Sequence, residues 1–421
     1  MLLIKNIGQI VTLRGAPAPR CGAAMSELGI IESGAILIRA ERIVWVGPTR
    51  ELPRHEIDPY CETVDCVGLD LVALPGFVDS HTHPVFAGTR ANEYHLRSQG
   101  KTYQEIDAAG GGIRASVRQL RAATQDQLEN RAERYFEEFL AHGTTTIEAK
   151  SGYGLSLEDE IKSLQVLASL HGRSRLEIVA TFLGAHDVPD ELRAARGEYI
   201  RGIVEEMIPK VAGEGLAQFC DVFCDTGYFT VEESRTILTA ARQAGLKVRL
   251  HAEQLAHSGG ARLAAELKAA SADHLEWVDD ADIEALRDAG TVATLLPGAT
   301  FNLGLSRYAP ARRLIDGGVP VALATDFNPG SCFTLNMQII LSIACSQMRM
   351  TPAEAITAAT INGASAVGLA ERLGSLEEGK QADIALMNVA DYLEIPYFFG
   401  VNHCVMTVKK GKIVINRLER S

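Results

Sequence analysis

Two histidines separated by one residue, His81 and His83, close the run Gly76-Phe-Val-Asp-Ser-His-Thr-His-Pro. Side chains at i and i+2 of a strand leave the same face, so both imidazoles point the same way. Such a pair is half of a site for zinc or iron, although a lone pair could also be two polar residues at a strand end. It does not stand alone. His251 closes Leu246-Lys-Val-Arg-Leu-His-Ala-Glu, and Asp326 closes Val319-Pro-Val-Ala-Leu-Ala-Thr-Asp-Phe-Asn. Singly, these read as a structural histidine and as a helix cap or Asx turn. Together, three histidines and one aspartate suit a catalytic metal that lowers the pKa of bound water. Asp79, one step deeper on the His81 face, could orient a ligand.

These residues need a scaffold that brings distant segments together. Between about Ala73 and Glu371, apolar runs of strand length alternate with longer amphipathic segments, the pattern of repeated βα units. Eight strand candidates are LVALPGFVDSH, GTTTIEAK, RLEIVATFLGAH, AQFCDVFCD, LKVRLHAE, SADHLE, TVATLLPGA and PVALATDFN. Nearly all run into a polar residue at the C-terminal end: His81/His83, Glu148/Lys150, His186, Asp225, His251, His274 and Asp326. In a closed barrel those ends form one mouth, where barrel enzymes place their active sites. Short strands dominate both termini. The predicted fold is therefore α/β: a (β/α)8 TIM-like barrel over 73–373, with a composite β-sandwich from 1–72 plus 374–421.

With 421 residues, 47% hydrophobic and 22% charged, the chain is long enough for such a barrel and has an ordinary globular composition. A net charge of -12 and no Lys/Arg cluster argue against nucleic acid as a partner. No apolar stretch approaches the ~20 residues of a membrane span. The first residues read as a strand rather than a signal peptide, and the eight cysteines form no C-x-x-C pair, so a cytoplasmic protein with reduced thiols is expected. Cys220 and Cys224 share a strand face and read as small core residues.

The metal-type residues on strands one, five and eight, with His274 on strand six, resemble the amidohydrolase superfamily. Gly379-Lys-Gln-Ala-Asp383-Ile resembles its composite sandwich. More narrowly, HPVFAGTR ending at Arg90, EAKSGYGL containing Tyr153, FLGAH ending at His186, DFNPGS from Asp326 to Ser331 and Gly400-Val-Asn resemble the imidazolonepropionases. That family opens the cyclic amide of 4-imidazolone-5-propanoate to N-formimidoyl-glutamate in histidine degradation. The resemblance implies one zinc or iron ion on His81, His83, His251 and Asp326, and a small-molecule substrate with a carboxylate tail. A homodimer is expected.

A carboxylate tail wants a forked cation, and Arg90 lies just past the histidine pair. Tyr153, His186, Gln254, Asn328, Gly330 and Ser331 are the other expected substrate contacts, with Tyr103 a weaker one. His274 and Asp326 are the expected catalytic residues, taking the proton of the water. Some family members carry Glu three residues past the strand-five histidine. Here Gln254 stands there, an amide that cannot act as a base. Glu253 could take that role only if a bulge turned it inward. Lys150 resembles the carbamylated lysine of two-metal relatives, but those carry it on strand four, so one metal is expected. His55, His95, His142, His171, His257 and His403 read as structural. The rival enzyme is a cyclic-amidine deaminase on the same barrel. The rival of another class, a catalytically dead binding module, would have lost a ligand, and all four are present.

Overall fold

Strands of alternating or wholly apolar pattern account for both sheets of the computed structural model, which describes residues 1–101, 105–106 and 110–418. The N-terminal segment forms β1 (Leu2–Val11), β2 (Ile30–Arg39), β3 (Arg42–Pro48), β4 (Glu62–Asp65) and β5 (Val72–Pro75). Next come β6 (Phe77–Thr82), β7 (Thr144–Lys150), β8 (Glu177–Ala185), β9 (Phe219–Cys224), β10 (Lys247–Ala252), β11 (Ser271–His274), β12 (Val292–Leu295) and β13 (Val321–Leu323). The chain ends in β14 (Ile384–Met387), β15 (Cys404–Lys409) and β16 (Lys412–Asn416).

β6 to β13 form one eight-stranded sheet in sequence order, paired in parallel, with helices between successive strands. Backbone contacts across the seam join its ends: the Asp326 amide donates to the His81 carbonyl at 3.1 Å, and the His83 amide to the Phe327 carbonyl at 2.9 Å. First and last strands are thus neighbours, and the sheet is a nearly closed barrel. Several of the longer helices start where a side chain satisfies a free amide. Before Gln125–Ala141, the Thr124 hydroxyl accepts from the Gln127 amide while the Gln127 side chain accepts from the Thr124 amide.

Both termini meet in a second, mixed sheet of order β16-β15-β14-β5-β1-β2-β3. β1 pairs with β4 over Leu2–Lys5 and with β5 over Gln9–Ile10, so the sheet forks there. Ile4, Ile36, Ile384, Met406 and Val408 pack its core. The expected first barrel strand, LVALPGFVDSH, is in fact two strands. Val72–Pro75 pairs with β14 in the mixed sheet, and only Phe77–Thr82 enters the barrel. The break falls at Gly76, where a Cβ would stand 2.3 Å from the Thr145 side chain, too close for any other residue. The uninterrupted apolar pattern of the sequence hides it.

Candidate active site

The C-terminal ends of the barrel strands deliver His81 and His83 from β6, His251 from β10 and Asp326 from just beyond β13, all buried. The Nε2 atoms of His81 and His83 lie 3.2 Å apart. Asp326 Oδ1 is 3.6 Å from the first and 3.5 Å from the second. His251 completes a group of three imidazoles whose ligand atoms all lie within 4.8 Å of one another. Burial first, then the nearby Lys150 ammonium and neighbouring histidines, pull the His81 pKa far down; burial and His186 do the same to His83. Both rings are therefore neutral at neutral pH, the form that ligates a metal. Nδ1 of His83 is buried without a hydrogen-bond partner. Neutral imidazoles converging beside a carboxylate fit one divalent metal ion.

Beneath these four residues lies a layer of which sequence reasoning named Glu148 and Lys150 but missed Asp221, Arg249 and Asp273. Asp273 Oδ2 sits 2.7 Å from His81 Nδ1, and Asp221 Oδ2 sits 3.0 Å from His251 Nδ1. Arg249 Nη2 reaches Asp273 at 2.8 Å, and the Lys150 ammonium reaches Glu148 and Asp221 at 2.8 Å each, all on wholly buried side chains. A signal existed: Arg249 stands two residues before His251 in a strand that is otherwise apolar there, so it shares the ligand's face. Asp79 is held by the Thr325 amide at 3.0 Å and hydroxyl at 2.6 Å. It ties the segment after the last strand to the first, and it also accepts from the His81 backbone amide. Burial, opposed by those hydrogen bonds, raises its pKa to about 7.

Above the histidines opens a cavity of about 530 Å³, lined by His83, His251, His274 and Asp326 on its floor. Arg90, Tyr153, His186, Gln254, Asn328, Gly330 and Ser331 line the same cavity, so the expected contacts are brought together. Tyr103 lies outside the described residues. Arg90 Nη2 pairs with Glu93 at 2.7 Å, and its guanidinium packs against the backbone of Gly330, where a Cβ would come 2.2 Å from Nη1. His186 stacks on His83 with ring centroids 5.2 Å apart, and burial and the adjacent His251 bring its pKa down to about 3. Its Nδ1 lies 2.9 Å from the Gly152 carbonyl.

Asn328 is used within its own loop. Its Nδ2 donates to the Asp326 carbonyl at 2.6 Å and to Ser331 Oγ at 2.7 Å, and its Oδ1 accepts from the amides of Gly330 and Ser331 at 2.8 Å. Ser331 Oγ then donates to Asp326 Oδ2 at 3.3 Å. The adjacent residues at the end of β10 diverge. Glu253 turns away from the cavity: its carboxylate accepts from the amides of Ser258, Gly259 and Ala261 at 2.6, 2.9 and 3.1 Å. Gln254 faces the cavity, its backbone amide donating to Asp225 Oδ2 at 2.8 Å. His257 pairs with Asp282 at 2.8 Å, away from this cavity.

His274 and Asp326 have left-handed backbone, φ 83° and 54°. Non-glycine residues reach that region at a cost of about 1–3 kcal/mol, and such strain clusters at functional sites. Burial works against a charged His274, yet Glu276 at 3.8 Å and Asp326 outweigh it and raise its pKa. Burial raises that of Asp326.

The description "Amidohydrolase family" matches residues 72–414, and the chain belongs to that family. The chain is 48% identical over 416 residues to the imidazolonepropionase of Geobacillus kaustophilus, covering 99% of this chain and 98% of that protein. It is 49% identical over 412 residues to that of Solibacter usitatus, covering 98% of each. Within the family it groups with the imidazolonepropionases. An adenosine deaminase structure from Xanthomonas campestris with bound zinc superposes with a TM-score of 0.70 at 20% identity, over 99% of this chain and 93% of that one. E. coli guanine deaminase does so at 0.70 and 16%, over 99% and 100%. These two share the fold.

Proposed function

We infer that the chain hydrolyses the cyclic amide of 4-imidazolone-5-propanoate to N-formimidoyl-L-glutamate. The observation that carries this reading is the single cavity in which a histidine-aspartate donor set shares its lining with the partly buried Arg90, as a ring amide with a carboxylate tail requires. The near-full-length likeness to imidazolonepropionases supports it.

His81, His83, His251 and Asp326 would hold one zinc or iron ion, since imidazole and carboxylate suit both. When bound, that ion lowers the pKa of a water and polarises the ring carbonyl. Asp326 takes the proton as the water oxygen bonds to the carbonyl carbon. His274 donates a hydrogen bond to the carbonyl oxygen as negative charge grows there. The proton then passes to the ring nitrogen as the C–N bond breaks, leaving the new carboxylate on the product. Arg90 binds the propanoate tail, while Tyr153, His186 and Gln254 line the ring's position and exclude water. Gly330 and Ser331 complete the tail's side of the cavity, and Asn328 shapes their loop.

Eight free cysteines fit a reducing cytoplasm. A homodimer would cover the exposed Phe301, Leu393, Tyr397 and Phe399, which flank one apolar groove. The test of function is ultraviolet loss of the imidazolone chromophore with formimidoylglutamate as product and no ammonia. Ammonia release from a cyclic amidine, with imidazolonepropanoate untouched, would overturn it.

A further inference from the structure

We infer that Lys150 is a positioning residue for the metal centre, acting through Asp221 on His251. This rests on the reading that His81, His83 and His251 hold a metal. Lys150, the last residue of β7, points into the barrel with no exposed side-chain surface. Its ammonium lies 2.8 Å from Glu148 Oε1, 2.8 Å from Asp221 Oδ2 and 3.9 Å from Asp273 Oδ2. Asp221 grips His251 at two points: Oδ1 accepts from the backbone amide at 3.2 Å, and Oδ2 stands 3.0 Å from ring Nδ1. The same carboxylate oxygen therefore lies between ammonium and imidazole. Asp273, the more distant neighbour of Lys150, backs His81 at 2.7 Å.

Stability does not account for this arrangement. Replacing buried ion pairs by apolar side chains of similar volume is often neutral or stabilising. A carboxylate behind a metal-binding imidazole, by contrast, fixes ring orientation and commonly sets affinity within a 10–100-fold range. One cation placed between the carboxylates behind two ligand rings would hold both in register.

The sign of the effect separates positioning from simple charge. A cation below a cation site repels the metal, so by Coulomb's law alone its removal tightens binding. Positioning demands weaker binding. The experiment measures zinc affinity of metal-stripped full-length protein by competition with a chromogenic chelator, for wild type, Lys150→Met, Asp221→Asn and the charge-balanced double variant. Lys150→Met is expected to weaken zinc binding about tenfold or more, with the double variant no weaker than Asp221→Asn. Unchanged or tighter binding in Lys150→Met overturns the proposal, and so do losses that multiply in the double variant. If Lys150→Met does not fold, Lys150→Gln carries the same test, and wild-type affinity in it is the overturning result. A wild type that binds no zinc or iron fails the metal reading itself, a separable result.

Discussion

The carboxylate of Asp273 lies 2.7 Å from Nδ1 of His81. That contact puts the ring proton on Nδ1 and leaves Nε2 as a lone pair facing His83 and Asp326. Asp273→Asn is expected to weaken metal binding about 10–100-fold. Elemental analysis after dialysis against a weak chelator would read it, and full retention would mean that packing alone orients the ring.

Gly330 and Arg90 predict two routes to one defect. Arg90→Met removes the proposed forked partner of the substrate carboxylate, a loss worth about 2–5 kcal/mol at a buried pair. Gly330→Ala places a methyl 2.2 Å from Arg90 Nη1 and must displace the guanidinium, while the rest of the loop is left in place. Both variants should raise KM at least tenfold with little change in melting temperature. Wild-type KM in Gly330→Ala would show that the guanidinium position is not what binds the tail.

The roles of His274, Gln254 and Glu253 are separated by comparing their variants. Loss of the donor to the carbonyl oxygen in His274→Phe should cut kcat about 10²–10³-fold with metal retained, whereas Gln254→Ala should act chiefly on KM. Glu253→Gln should leave kcat nearly intact and lower thermal stability, because the Glu253 carboxylate holds three loop amides. A collapse of kcat in Glu253→Gln alone would reverse this assignment.

Acid stability should depend on Glu177 at the opposite end of the barrel. Its carboxylate meets Arg372 at 2.7 Å, Lys410 at 3.4 Å and Lys409 at 3.7 Å, tying the start of β8 to the mixed sheet. Burial pushes its pKa up, but Lys409 and Arg372 prevail and bring it down from 4.5 to about 2. A depressed pKa means the unfolded chain takes the proton first. The contribution is therefore full above about pH 4.5 and disappears as pH falls toward 2. Glu177→Gln should cost about 1–3 kcal/mol at pH 7 and flatten the unfolding profile across that window. An unaltered acid profile would count against it.

The oligomeric reading is checked at Tyr397 and Phe399, 77% and 66% exposed. Charged replacements, Tyr397→Glu with Phe399→Glu, should convert a dimer to a monomer in light scattering. A wild type that is already monomeric refutes the dimer.

Strand ends made much of the site legible in the sequence. Polar residues closing apolar runs, as at His83, His251, His274 and Asp326, mark the barrel mouth because they recur at strand ends that only a closed barrel brings together, although each alone has a structural reading. The support beneath was harder to read. Asp221 and Asp273 sit among other chain carboxylates, and only closure of the barrel shows which imidazole each one meets. Asn328 was legible as a residue of the loop that lines the cavity but not as the organiser of that loop, since both its donors and its acceptor are spent locally. The split at Gly76 escaped because burial on both sides leaves no alternation to interrupt.

The seam between Asp326 and His81 sets a timetable for biogenesis. Asp326 donates its amide to the carbonyl of a residue made far earlier, and Phe327 accepts from His83. Until that late stretch leaves the ribosome, the early histidines have no carboxylate opposite them and no closed wall behind them. At synthesis rates of about 5–20 residues per second, His81 and His83 wait roughly 12–50 s for their counterpart. The set proposed to hold the metal is therefore complete only once the last barrel strand has closed against the first.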